Sequence, residues 1–295
     1  MKVFYGLKNV KKFRNAVVVL GVFDGVHAGH RRILFETVRK AHCIKGKGVI
    51  VTFWPHPRKT ESIYSLEHRL KLIAGFGLDA CVCIKFNKFF SNTSPYDFVK
   101  DILVGKIGAK YIYVGENFTF GRGASGDTAL LKRLSEEFGF KLKAFEVLKT
   151  HNLAISSTYI RRLIKEGKLS EAQKLLMRPV SILGTVIRGA SLAKKLGFPT
   201  ANIDPHHEVL PPSGVYSVRV LIGRRKYPGI CYIGNKPTLA KTKIQHIEAH
   251  IFDFKKNIYG KYLEIQFIKL LRKERKFSSL RSLAEQIRKD IISAK

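Results

Sequence analysis

The chain has 295 residues, 45% hydrophobic and 26% charged, the balance of a globular protein with about two domains of ordinary size. Its formal net charge of +32 would suit a phosphate backbone, but the basic residues run along the whole chain without a basic tail or an aromatic–basic motif. Steering of anionic small molecules is therefore expected, and specific nucleic-acid binding is not. Neither a signal-peptide pattern nor an apolar stretch of roughly 18 residues is present, so a cytoplasmic location without a membrane partner is expected.

Apolar runs rich in β-branched residues occur at Ala16–Leu20, Val49–Phe53, Ala80–Ile84 and Tyr111–Val114. Amphipathic patterns lie between them, as at 29–41, where Ile33, Leu34, Val38 and Ala41 recur near helical spacing. This alternation predicts a doubly wound α/β half with a parallel sheet and a ligand at the carboxyl ends of its strands. Cys81 and Cys83 are two apart in such a strand and read as core residues. With Cys43 and Cys231 they form no CxxC and offer no zinc site.

A helical bridge is predicted over 157–176, broken at Arg178-Pro179. Strand-like segments then dominate, at 180–188, 214–222, 228–233, 244–254 and 261–271, followed by a helix over 278–292 with Leu280, Leu283, Ile287 and Ile291 on one side. The expectation is a small antiparallel barrel closed by a C-terminal helix, with domains at 1–176 and 177–295. Oligomeric state is left open, a homo-oligomer included.

The first run leads into Gly21-Val22-Phe23-Asp24-Gly25-Val26-His27-Ala28-Gly29-His30. Two glycines around an aspartate predict a tight strand-to-helix turn, and a helix N-terminus offers N–H groups and a positive dipole end to phosphate. His27 and His30, three apart, either face that phosphate together or divide into a cap and a core residue. Further strings fall at strand ends or helix starts: Thr52-Phe53-Trp54-Pro55-His56-Pro57, Gly115-Glu116-Asn117-Phe118-Thr119-Phe120-Gly121 with Gly126-Asp127, and Ile155-Ser156-Ser157-Thr158-Tyr159-Ile160-Arg161. Ser157 and Thr158 are donors to phosphate or caps of the bridging helix.

In the second half, Leu196-Gly197-Phe198-Pro199-Thr200-Ala201-Asn202 puts a hydroxyl and an amide two apart. In an extended segment both face one way, where they can help hold magnesium and phosphate or simply end a polar strand. In Ile247-Glu248-Ala249-His250-Ile251-Phe252-Asp253-Phe254, period two places Glu248 on the face of His250, Phe252 and Phe254.

These strings, in this order, resemble those of the bacterial bifunctional riboflavin kinase/FMN adenylyltransferases (FAD synthetases), and the resemblance covers nearly the whole chain. It implies a Rossmann-like nucleotidylyltransferase domain that makes FAD from FMN and ATP, then a barrel domain that phosphorylates riboflavin, with Mg2+ as cofactor. It further implies that ATP is bound by Gly21, Phe23, Asp24, Gly25, His27, His30, Ser157, Thr158 and Arg161 in the first half. In the second half Gly189, Lys194, Gly197, Pro199, Thr200 and Asn202 do so, with the metal on Thr200 and Asn202. Pro55, His56, Asn117, Phe118, Asp127, Tyr216, Arg272 and Phe277 are implied for the flavins, Glu248 as general base, and His27, His30 and Arg161 as catalytic groups at phosphate.

Three positions depart from the family pattern. Asn117 stands where aspartate is frequent, Ala193 replaces a common glycine in the loop 189–195, and Tyr232 replaces a frequent asparagine. The alternatives are the same fold with one activity only, or a basic nucleic-acid-binding protein on this scaffold.

Overall fold

Val17, Val18 and Val19 are β-branched and fully buried, as a strand covered on both faces requires. In the computed structural model, which describes residues 1–57, 61–150, 152–189, 196–235 and 245–295, they form β2 (Ala16–Leu20) inside a six-stranded sheet. The other strands are β1 (Lys2–Tyr5), β3 (Lys47–Trp54), β4 (Ala80–Lys85), β5 (Ala109–Gly115) and β6 (Lys141–Phe145). The order is β1-β4-β3-β2-β5-β6 and every pairing is parallel. The chain moves from β2 outward to β3 and β4, then returns to lay β5 on the other side of β2. The carboxyl ends of β2 and β5 thus flank the switch point where a doubly wound sheet binds ligand.

Helix α1 (Ala28–Cys43) buries Ile33, Leu34, Thr37 and Ala41. Cys81 and Cys83 are buried free thiols in β4, and burial pushes the Cys81 thiol up to about 12, which leaves it inert. The parallel α/β half is as expected, with more elements than the apolar runs reveal. β1 and β6 are edge strands carrying exposed lysines, so neither reads as an apolar run. Also additional are α2 (Leu66–Ala74), a π-helical segment Phe98–Ile107 and the helix Thr128–Phe138.

Two compact units result, Met1–Thr60 with Arg69–Ser157, and Glu61–His68 with Thr158–Lys295. A short pair, β7 (Lys149–Thr150) and β8 (Leu153–Ala154), precedes the bridge, which is two helices, Ser157–Lys165 and Leu169–Leu176. In the second unit a closed antiparallel barrel is formed by β9 (Ser181–Ile187), β10 (Ala201–Asp204), β11 (Gly214–Ile222), β12 (Arg225–Asn235), β13 (Gln245–Ile251) and β14 (Tyr262–Lys273). Its circular order is β10-β13-β12-β11-β14-β9, which leaves no open sheet edge. Ile247, Ala249 and Ile251 fill the interior, while outside Phe252 packs with Val215, Ile230 and, on the C-terminal helix Leu280–Ala294, Ile287 and Ile291. Leu280 itself stays exposed at the helix start.

The second unit also buries a polar network. Glu208 Oε1 accepts from the Ser65 amide at 2.8 Å and the Ser65 hydroxyl at 2.6 Å, while its Oε2 accepts from the Leu183 amide at 3.0 Å and lies 3.0 Å from His68 Nδ1. His68 is 0% and Glu208 4% exposed, so this carboxylate has exchanged water for a full set of protein donors.

Candidate active sites

The turn after β2 is held in conformations that side-chain-bearing residues avoid. Phe23 has φ +56° and the β-branched Val26 φ +44°, with Gly25 at +85° between them. Such strain persists where the surroundings over-determine it. Thr52 donates to the Val22 carbonyl at 3.2 Å, Ser157 donates to the Asp24 carbonyl at 2.8 Å, and the Val26 amide donates to the Phe23 carbonyl at 3.1 Å. The Ser157 hydroxyl therefore helps to fix this turn. Asp24 is 2% exposed within the turn, and the Gly21 position packs against the Phe23 ring.

His27 is the N-cap of α1, and the first turn of α1 carries no acidic residue to offset its dipole. The His27 and His30 rings stack with centroids 3.6 Å apart, and Phe23 meets His30 edge-on at 5.2 Å. The two rings thus lie together as a pair, with His27 at the N-cap position that one sequence alternative gave it. Burial lowers His27 to about 4, and burial, then His27, then Arg69 hold His30 well below the ordinary histidine range. Both rings are neutral at pH 7, and both Nδ1 atoms are buried without a hydrogen-bond partner among the described residues. A stacked neutral pair with unsatisfied nitrogens at a helix N-terminus can donate hydrogen bonds to an anion.

The loops after β3 and β5 carry the other first-half candidates. Pro55 follows Trp54 through a cis peptide bond and His56 is half-buried beside it. Asn117 is exposed in the turn after β5, and Phe118 stacks on Phe120 at 5.7 Å. Asp127 caps the helix Thr128–Phe138, accepting from the Leu130 amide at 2.8 Å. Arg161 lies one turn after Ser157 on the same helix, with Thr158 between them.

In the barrel, β10 and β13 pair so that Asn202 stands opposite Glu248. The Thr200 hydroxyl donates to Glu248 Oε2 at 3.0 Å. His246 bridges the two strands, its Nε2 2.6 Å from Asn202 Oδ1 and its Nδ1 3.3 Å from Glu248 Oε1. A Cβ at Gly189 would stand 2.0 Å from the Asn202 amide nitrogen, so only glycine lets this side chain take its place. Gly197, at φ +87°, leads into Pro199, whose carbonyl lies 2.8 Å from His250 Nδ1. A cavity of about 250 Å3 opens beside Pro199 and Thr200, lined also by Val186, Phe254, Lys255 and Lys256.

Three barrel candidates have structural partners. Tyr216 is 1% exposed and donates to the Pro212 carbonyl at 2.6 Å. Arg272 forms a two-pronged pair with the buried Asp290, at 2.9–3.0 Å, and lies 5.5 Å from the Phe277 ring centroid. Lys194 and the rest of residues 190–195 in the altered loop 189–195 lie outside the described residues. Sequence reasoning missed His246, although its spacing of two from Glu248 puts it on the same strand face. It also missed Arg69, which carries no motif.

The family model for FAD synthetase matches residues 9–159 and that for riboflavin kinase matches 176–295. Curated relatives named bifunctional riboflavin kinase/FMN adenylyltransferase span the chain from end to end. That of Buchnera aphidicola subsp. Schizaphis graminum is 37% identical over 99% of this chain and 97% of its own length. That of Escherichia coli K12 is 32% identical over 100% and 97%. A crystal structure from Streptococcus pneumoniae, described as a macrolide-efflux protein, matches 100% of this chain and 99% of that one at 27% identity, with a TM-score of 0.85. No helix among the described residues is long and apolar enough to cross a membrane. With both family models matched in order and full-length relatives above 30% identity, the chain belongs to the bifunctional riboflavin kinase/FMN adenylyltransferase family.

Proposed function

We propose that the chain phosphorylates riboflavin to FMN beside Thr200, Asn202 and Glu248, and joins FMN to the AMP moiety of ATP at the turn between β2 and α1. The domains are taken as 177–295 for the first step and 1–176 for the second. The observation that supports this reading is that each unit separately holds groups able to serve phosphate, the unsatisfied His27–His30 stack in one and the Thr200–Glu248–His246–Asn202 chain in the other.

In adenylylation an FMN phosphate oxygen bonds to the α-phosphorus of ATP as the bond to pyrophosphate breaks. No covalent enzyme intermediate is needed, so positioning and charge stabilisation carry the rate. His27, buried, and His30, half-buried, are both neutral and act as hydrogen-bond donors, and phosphate charge next to them favours their protonated forms. The turn Gly21, Phe23, Asp24, Gly25 brings backbone close to the nucleotide, and the family resemblance assigns Thr158 and Arg161 to ATP as well. Pro55, His56, Asn117, Phe118 and Asp127 stand on the loops assigned to FMN.

In the kinase step Glu248 accepts the proton of the riboflavin 5′-hydroxyl, whose oxygen attacks the γ-phosphorus while ADP leaves. The hydroxyl of Thr200 and the amide oxygen of Asn202 are hard oxygen donors, the set that fits Mg2+ held by one or two protein groups together with phosphates. Mg2+ held there would supply positive charge to the transferring phosphates. Gly189, Lys194, Gly197 and Pro199 are assigned to the nucleotide, and Tyr216, Arg272 and Phe277 to the flavin side.

On this reading the partners are riboflavin, FMN and ATP, with no specific nucleic acid or membrane, and ATP use supports a cytoplasmic location. The test separates the phosphorus products. Riboflavin with Mg-ATP yields FMN and ADP, and FMN with Mg-ATP yields FAD and pyrophosphate. Release of only one of ADP and pyrophosphate leaves one activity standing.

A further inference from the structure

Arg69, on α2, is a buried cation outside every motif, only 1% exposed. Its guanidinium donates to the Val22 carbonyl and, at 3.5 Å, to the Phe53 carbonyl, and lies 5.6 Å from the Trp54 ring centroid. Val22 lies two residues beyond β2, and Phe53 is the residue before the last of β3. Val22 opens the strained turn of the nucleotide site, and Phe53 opens the Trp54–Pro55–His56 loop assigned to FMN. In a planar trans peptide the following N–H points opposite to the carbonyl. Drawing the Val22 carbonyl toward Arg69 therefore directs the Phe23 amide away from it, and Phe53 does the same for the Trp54 amide. A planar guanidinium with several fixed donors can hold two carbonyls at once, whereas an ammonium is a point charge. The same cation contributes, after burial and His27, to keeping His30 neutral.

We infer that Arg69 is a positioning residue for adenylyl transfer, which acts through the Val22 and Phe53 carbonyls to hold the nucleotide turn and the FMN loop in one register. The inference rests on assigning adenylylation to the Gly21–His30 turn. It predicts that loss of Arg69 weakens both substrates of one reaction and spares the other reaction.

The test uses full-length Arg69→Met and Arg69→Lys, with kcat and KM measured separately for FMN adenylylation and riboflavin phosphorylation, beside a thermal melt. For Arg69→Met the expected result is a loss of about 100-fold in adenylylation kcat/KM, the scale of a misplaced reacting group, with KM raised for both ATP and FMN. Riboflavin phosphorylation should stay within about twofold, and Arg69→Lys should recover the charge but only part of the KM effect. A folded Arg69→Met enzyme with wild-type KM values overturns the inference. So does a variant whose two activities fall together in proportion to its folded fraction, which is what a purely structural role produces. If Arg69→Met does not fold, Arg69→Lys decides by the same KM criterion. His30→Ala, run in parallel, separates the two levels: adenylylation surviving in it removes the site assignment itself, whereas its loss beside an unaffected Arg69→Met removes only the role of Arg69.

Discussion

The Thr200 hydroxyl donates a 3.0 Å hydrogen bond to Glu248, which ties the end of the Leu-Gly-Phe-Pro-Thr turn to the carboxylate on β13. One oxygen of Glu248 is engaged by Thr200 and the other by His246 at 3.3 Å, while the side chain keeps 27% of its surface open to an incoming hydroxyl. Replacing Glu248 with glutamine keeps the shape and removes the base. Glu248→Gln is expected to lower riboflavin phosphorylation by about 100-fold or more, the usual contribution of a general base, and to leave FMN adenylylation unchanged. Separate assays of the two steps check this.

The stacked histidines predict the mirror image. His30→Ala removes a donor from the anion site and the edge contact with Phe23. Loss of one such donor typically costs about 100- to 1,000-fold in rate, so FAD formation from supplied FMN should fall on that scale while riboflavin phosphorylation persists. Parallel loss of both steps would point to unfolding, which a thermal melt of the variant detects.

The pH dependence of stability follows from His27. Its folded value of about 4 lies below the ordinary 6.5, so the folded chain holds this proton less readily than the unfolded one. Between those values the unfolded state takes up a proton that the folded state does not. Stability should therefore fall as pH drops from 6.5 toward 4, by at most about 3 kcal/mol at 1.36 kcal/mol per pKa unit, and should show no dependence on this group at higher pH. His27→Asn is expected to flatten the slope of thermal midpoint against pH in that window. Identical slopes for both proteins would contradict it.

Glu208 carries a prediction about folding. Its carboxylate serves Ser65, His68 and the Leu183 amide in a region closed to water. Glu208→Ala leaves these donors buried without an acceptor, and breaking such a network costs about 3–5 kcal/mol. Chemical denaturation should show a loss of that size, whereas a loss below 1 kcal/mol would mean that water replaces the carboxylate.

The legible parts of fold and site share one property, which is that their chemistry is local in the chain. His27 and His30 sit three apart at a helix start, and Thr200 and Asn202 sit two apart at a strand start, so each pair declares its shared face. The barrel strands alternate, as Ile247, Ala249 and Ile251 do against His246, Glu248 and His250. What stayed hidden depends on distant partners. Glu208 meets His68 across 140 residues of sequence, and Arg69 meets Val22 across 47. An arginine on an amphipathic helix reads as a solvated residue until the fold buries it. The pairing of Arg272, which the family resemblance implies for the flavin side, with Asp290 of the C-terminal helix is likewise invisible in the sequence.

The central claim, that one chain holds two chemically independent sites, is tested most directly by mixing two disabled variants. Glu248→Gln and His30→Ala are combined with riboflavin and Mg-ATP, and the flavins are separated over time. Alone, Glu248→Gln should leave riboflavin largely unconverted and His30→Ala should stop at FMN. Together they should accumulate FAD, because FMN released by one protein serves the other. A mixture that makes no more FAD than either variant alone would contradict the account.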